Sequence, residues 1–251
     1  MAGSALKAGA VAAALRQLPA DQPLPWQLRV LPVCGSTERE LERGLSAGWM
    51  PPVALMAQQQ RYGHGQQGRL WLSPPGGVWL SAALPWPAAP DGCASLSLAA
   101  ALGIALQLEP LGLRPQIKWP NDLLLEGRKL AGILPRLRWR GPQVRYAQLG
   151  VGINGVNRVP AGAINLAEAL GLCGHPQAQP ARLAALVLRG LEWAAAAAGQ
   201  AELVRRQAEQ RLWRPEWLEH HGERWSVAGL AADGGLRVRR GTAEAVLQRC
   251  F

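Results

Sequence analysis

The chain of 251 residues lacks any uninterrupted apolar run of the roughly 18 to 20 residues that a bilayer-spanning helix needs, which sets aside membrane roles. Cysteine is scarce. Cys34, Cys93, Cys173 and Cys250 are scattered without CxxC spacing, which argues against a zinc site and a disulfide framework and fits a reducing cytoplasm. Residues 1–25 set Lys7 ahead of AGAVAAAL, but alanine is too weakly apolar for an export signal. Lysine is scarcer still: of 27 basic residues three are Lys and 24 are Arg, and Phe occurs once, the pattern of a GC-rich coding bias. The formal charge of +10 and pI near 10.6 raise a polyanionic partner, but no dense basic run and no helix-turn-helix pattern supports DNA. With 49% hydrophobic and 18% charged residues, disorder is excluded and one sizeable core is expected.

Periodicity and breakers outline the elements. Thr37 followed by Glu40 has the capping-box spacing, predicting a short helix over 38–45 that ends near Gly48. Strands are expected over 53–59 and 77–84, the second alternating Val78, Leu80 and Ala82 against Trp79, Ser81 and Ala83, with a Gly-rich loop between them. A buried helix over 94–109 stops at Pro110. Strands over 116–119, 123–125, 129–139 and 143–152 follow, joined by a tight Glu126-Gly127 turn and an Arg140-Gly141-Pro142 turn. Residues 179–218 read as helical with a break near Gly199, and the last thirty or so alternate as ERWSVAGL, GLRVRR and AEAVLQR. The fold class is therefore α/β (α+β), a mixed sheet flanked by helices, divided into residues 1–218 and a small β module over 219–251.

Chemistry concentrates in two segments. Lys118 and Lys129 stand eleven residues apart in KWPNDLLLEGRKLAGIL, where arginine is the chain's habit, so the position asks for a compact ammonium. Between them Asn121 and Asp122 offer an amide and a carboxylate suited to a base, a phosphate or a magnesium shell. In the loop Gly63-His64-Gly65-Gln66-Gln67-Gly68-Arg69, three glycines let backbone N–H groups approach an anion, with Arg69 as a clamp. A dinucleotide motif is rejected because strand, not helix, follows. Trp71 is placed either to stack on an adenine or in the core. His220-His221 reads as exposed loop rather than a metal site.

A Ser-Thr helix start, a Gln-led GxGxxGR loop, KWPND, KLAGIL and GVGIN occur in one order over residues 31–157, and in this the chain resembles the biotin protein ligases, in a short form without an N-terminal DNA-binding domain. The resemblance implies a class II aminoacyl-tRNA synthetase-like sheet followed by a small SH3-like barrel. It implies activation of biotin by ATP with Mg²⁺, transfer to a lysine of the biotin carboxyl carrier protein of acetyl-CoA carboxylase, and no DNA partner; oligomeric state stays open. It assigns Lys129, Arg69 and Asp122 to catalysis. Ser36, Thr37, Glu38, Gln60, Gly63, His64, Gly65, Gln66, Lys129, Gly132 and Gly150 are assigned to biotin. ATP falls to Arg69, Trp71, Lys118, Asn121, Asp122 and Asn154, and Mg²⁺ indirectly to Asp122. Three positions depart from the family pattern: Glu38 replaces the usual Asn, and His64 and Gln66 replace two arginines of GRGRxGR. A looser grip on the adenylate is expected, since a charge-assisted phosphate bond is worth about 1.5 to 3 kcal/mol against about 1 for a neutral one. Two alternatives stay open, a lipoate-type ligase and a non-catalytic binding homologue.

Overall fold

The structure is a computed structural model, and it describes residues 6–89, 91–171 and 176–248. Cys173 and Cys250, and Arg249 at the end of the last alternating stretch, lie outside them. Seven strands, β1 (Gln27–Cys34), β2 (Val53–Gln60), β3 (Val78–Leu84), β4 (Gln116–Lys118), β5 (Asp122–Leu125), β6 (Arg128–Arg140) and β7 (Gln143–Ile153), form one sheet in the order β1-β2-β3-β7-β6-β5-β4. Only β1 and β2 run parallel, because their connection crosses over through a helix, α2 (Thr37–Ser46); every other pairing is antiparallel.

The sheet has two covered faces, and the site follows from the difference between them. On one face lie α1 (Ala8–Arg16), α3 (Leu96–Leu108), α5 (Pro180–Ala196) and α6 (Ala201–Gln210), packed over a core that includes Met56, Leu80, Ala82, Leu102 and Leu188. The helices approach closely where Gly103 faces Gly190: a Cβ on Gly190 would lie 2.6 Å from the Ile104 nitrogen. On the other face α2 covers only β2 and β3, through Leu41, Val53 and Ala83. The remainder of that face is not covered by α2. Two-sided cover also explains why β3 is buried at all seven positions instead of alternating buried and exposed.

Most expected elements form within a residue or two of their predicted ends. Glu126 and Gly127 both have positive φ, 51° and 71°, in the β5–β6 turn. Three expectations are corrected and one region is added. First, α2 begins after Ser36 and no capping box forms: Glu40 pairs with Arg43 at 2.8 Å, while the Thr37 hydroxyl meets Gln60 and Ser81, each at 2.9 Å. Second, Val11 of the AGAVAAAL stretch is fully buried in α1, which packs on α5, and β1 was not anticipated at all. Third, the long helical stretch ends at Gln210, and Leu218 already opens a strand, β8 (Leu218–His220). Fourth, β8, β9 (Glu223–Leu230), β10 (Leu236–Arg240) and β11 (Ala243–Leu247) make an open four-stranded sheet with β8 and β11 at opposite edges, not a closed barrel. His220 therefore stands in a strand and His221 in its turn, with φ of 52°.

The small sheet is joined to the body. Leu230, Leu236 and Val238 belong to the main core, and the Trp119 indole donates to the Gly234 carbonyl at 2.9 Å.

Candidate active site

A cavity of about 480 Å³ occupies the part of the sheet that α2 leaves uncovered. It gathers all but one of the seventeen residues singled out above, the exception being Gly63. Gly63 is buried behind the wall, where a Cβ would meet the Ser73 hydroxyl and the Trp71 carbonyl, each at 2.6 Å.

Register places the two polar ends of this cavity. On one rung Ser81 of β3, Gly150 of β7 and Leu134 of β6 are neighbours; on another, Gly152, Gly132 and Asp122 of β5 are neighbours. The rungs lie two residues apart, so they share a face and are offset by about 7 Å along the strands. At the first rung the Gln60 amide oxygen accepts from the Thr37 backbone N–H at 2.7 Å and from its hydroxyl at 2.9 Å, the hydroxyl also meets Ser81, and Gln60 Nε2 donates to Ser73 at 2.9 Å. Gln60 thus supplies the cap that α2 lacks from its own residues. With Ser36 these groups form a cluster of hydroxyls and an amide at a helix start.

At the second rung Lys129 Nζ lies 2.7 Å from Asp122 Oδ2 and 5.0 Å from the centre of the Trp71 ring. Trp71 lies across a floor of glycine. A Cβ on Gly152 would come within 2.5 Å of its indole, and one on Gly132 within 2.9 Å. Gly132 thus makes room for Trp71, whereas a Cβ on Gly150 would meet only Leu134, at 3.4 Å or more. The Trp71 ring nitrogen is buried with no hydrogen-bond partner among the described residues. Gly152 and Ser81 were missed from the sequence although GVGIN displays the glycine; only the register shows that it faces Trp71.

The remaining expected residues divide by what holds them. Asn121 Nδ2 donates to the Ile133 carbonyl at 2.7 Å, and Asn154 Nδ2 to the Ile164 carbonyl at 3.2 Å while its oxygen accepts from Asn157 at 3.1 Å. Both amides brace the wall, an engagement that the sequence did not suggest. Lys118 is exposed at the rim, its Nζ 5.3 Å from the Trp213 ring centre.

The glycine loop is a tight hairpin rather than an open anion cradle. Gly65 N–H donates to the Arg69 carbonyl at 2.8 Å and Trp71 N–H to the Gly63 carbonyl at 2.9 Å, so these amides are engaged within the loop. Gln67 and Gly68 turn it with φ of 56° and 70°. Arg69 is exposed at its end, bonded to Gln67 at 3.3 Å. His64 Nε2 lies 2.7 Å from Glu38, a residue only 7% exposed. Beside the cavity, burial, with the Glu40 carboxylate adding to it, pushes the Cys34 thiol up to about 11.

Comparison with known proteins gives the following. Residues 30–154 match the model of the biotin/lipoate A/B protein ligase family. A biotin--[acetyl-CoA-carboxylase] ligase of Paracoccus denitrificans is 36% identical over 126 residues, 48% of this chain and 51% of that protein. One from Mycobacterium tuberculosis is 34% identical over 173 residues, 66% of this chain and 63% of that protein. The matches span 33%, 51% and 43% of the lengths of three of the curated relatives. Among solved structures, the biotin protein ligase of Aquifex aeolicus in complex with biotin and ATP superposes with a TM-score of 0.63 at 22% identity, covering 88% of this chain and 94% of that one. At that identity the likeness shows the fold, a mixed sheet flanked by helices.

Proposed function

Residues 30–154 match the biotin/lipoate A/B protein ligase family domain, and from that premise we propose that the chain is a biotin protein ligase, which activates biotin with ATP and passes it to a lysine of a biotin carboxyl carrier protein. The observation that carries this reading is the layout of the cavity. A hydrogen-bonding cluster at Ser36, Thr37, Gln60 and Ser81 is separated from the Lys129–Asp122 pair by an apolar floor of Gly150, Leu134 and the Trp71 ring that lies across Gly132 and Gly152. A ligand that fits has a polar head, an apolar tail and a terminal carboxylate, which describes biotin. The dithiolane of lipoate has no group to bond the hydroxyl cluster, so the cavity favours biotin over the lipoate alternative.

In the first half-reaction the biotin carboxylate attacks the α-phosphorus of ATP and pyrophosphate leaves. The Lys129 ammonium, paired with Asp122, would meet the negative charge on the carboxylate and the phosphoryl oxygens. Arg69, exposed at the end of the hairpin, is free to swing toward the leaving phosphates. Among the described residues no group of three or more His, Cys, Asp or Glu could cage a metal. A single carboxylate with substrate phosphates suffices for Mg²⁺, and Asp122 is the residue that would hold it; the ion would supply further neutralisation of phosphate charge. In the second half-reaction the carrier's lysine amine attacks the acyl carbon of the mixed anhydride and AMP leaves. Trp71 and the hairpin shield the anhydride from water meanwhile.

In this reading the body that ends with α6 carries catalysis, the sheet that begins at Leu218 forms the appended module, the site lies in the cytoplasm, and the charge of +10 draws in an acidic carrier. The test is incubation with biotin, Mg-ATP and a carrier domain, read by mass spectrometry. One biotinyl group on the carrier lysine is expected, together with biotin-dependent exchange of pyrophosphate into ATP. Absence of that exchange, or lipoyl transfer in its place, would defeat the proposal.

A further inference from the structure

Two of the positions that depart from the family pattern touch each other. Glu38, in the first turn of α2, directs Oε2 to His64 Nε2 at 2.7 Å and Oε1 to an Arg136 guanidinium nitrogen at 3.1 Å. Arg136 is on β6, does not line the cavity, and is not singled out by any sequence motif. It also lies 3.8 Å from Glu42, which Arg138 bonds too, and Arg138 Nε donates to the buried Gln148 at 2.8 Å. A carboxylate so buried is unfavourable unless paired. Here both oxygens are covered, so the cavity wall beside an anionic substrate carries no uncompensated negative charge.

We propose that Arg136, Glu38 and His64 form a latch of positioning residues that fastens the glycine hairpin over the cavity. The hairpin is sewn at its base, where Arg61 N–H donates to the Cys34 carbonyl at 3.0 Å and Tyr62 N–H to the Gly35 carbonyl at 2.8 Å. Beyond that point the chain turns at Gln67 and Gly68, and the His64–Glu38 pair ties it to α2. The imidazole Nε2–H donates to a carboxylate whether the ring is neutral or charged. Arg136 holds the same carboxylate from the sheet side, so loop, helix and sheet meet at one side chain. The latch supplies through protein–protein contacts part of the grip that an arginine at 64 would exert on the ligand directly. Its consequence, slower escape of the acyl-adenylate, rests on the biotin ligase reading; the fastening itself does not.

Hydrogen exchange of residues 62–70 and the release rate of biotinyl-AMP test it, on the intact chain and on Glu38→Gln, His64→Asn, Arg136→Met and the Glu38→Gln/His64→Asn double variant. Glu38→Gln and His64→Asn should each speed both loop exchange and release by about threefold to tenfold, and the double variant should add nothing further. Arg136→Met should shift both in the same direction. His64→Asn leaves the core untouched and so decides the matter if Glu38→Gln fails to fold. Unchanged loop exchange in His64→Asn or additive effects in the double variant overturns the latch, and faster exchange without faster release overturns its effect on escape of the acyl-adenylate. A wild-type chain that forms no biotinyl-AMP defeats the functional reading, while the exchange measurement still decides whether the hairpin is fastened.

Discussion

Lys129 occupies a position where this chain would ordinarily use arginine, and the structure shows what a compact ammonium does there. It fits between the Asp122 carboxylate at 2.7 Å and the Trp71 ring at 5.0 Å, where a planar guanidinium would need a wider gap. Replacing it by methionine should slow adenylate formation by about 10²- to 10³-fold in pyrophosphate exchange, and arginine should restore little of the loss. A Lys129→Met chain as active as wild type would remove the residue from the chemistry. Cys34 gives a second prediction at this scale. With its thiol pushed up to about 11, the neutral form dominates throughout the physiological range. Only about one thiol in a thousand is ionised at pH 8, and the share rises tenfold with each pH unit until the thiol titrates. Iodoacetamide should therefore label Cys34 more slowly than the half-buried Cys93 at pH 8, with the Cys34 rate climbing steeply towards pH 10. Equal labelling of the two in the folded protein would contradict the shift.

Elements meet through small residues at two places, the glycine floor under Trp71 and the α3–α5 crossing. At the crossing, a Cβ on Gly103 would run into the Gly190 carbonyl, and neither helix backbone can retreat from a core packed on both sides. Gly103→Ala should cost about 1 to 3 kcal/mol, lowering the melting temperature by several degrees. An unchanged melting temperature would show that the helices slide apart cheaply. This crossing was not legible in the sequence, because a glycine inside ALGIALQL reads only as a weak helix position. Local chemistry was far more legible. The Glu126-Gly127 turn and the apolar strands around it announced the β5–β6 hairpin, and with it the positions of Asp122 and Lys129. What failed depended on distant partners. QLRVLPVC carries a proline and an indistinct alternation, and it becomes a strand because β2 pairs with it in parallel. Thr37 and Glu40 have capping-box spacing, yet Gln60, 23 residues away, takes the helix start. That the candidate residues share one cavity followed from motif order, but that Glu38 answers His64 and Arg136 is visible only when helix, loop and sheet are brought together.

For the whole molecule, a buried ion pair joins core packing in holding the N-terminal segment. Arg189, 8% exposed, and Glu192, 4% exposed, lie 2.5 Å apart on α5. Arg189 donates to the carbonyls of Leu15 and Leu18, while Glu192 accepts from Leu24 N–H and the Trp26 indole. Glu192→Ala should cost about 3 to 5 kcal/mol in chemical denaturation, because it leaves the guanidinium buried and unpaired. A loss below 1 kcal/mol, within the range of an exposed pair, would count against that role. The C-terminal sheet is bound to the body by different means. Its apolar residues Leu230, Leu236 and Val238 share the main core, and its Gly234 carbonyl is the acceptor for Trp119, next to the strand that begins at Asp122. A sheet with so little interior of its own cannot melt on its own schedule. Heating should produce a single endotherm whose calorimetric and van't Hoff enthalpies agree, and substitutions in the last thirty residues should move that one peak rather than split it.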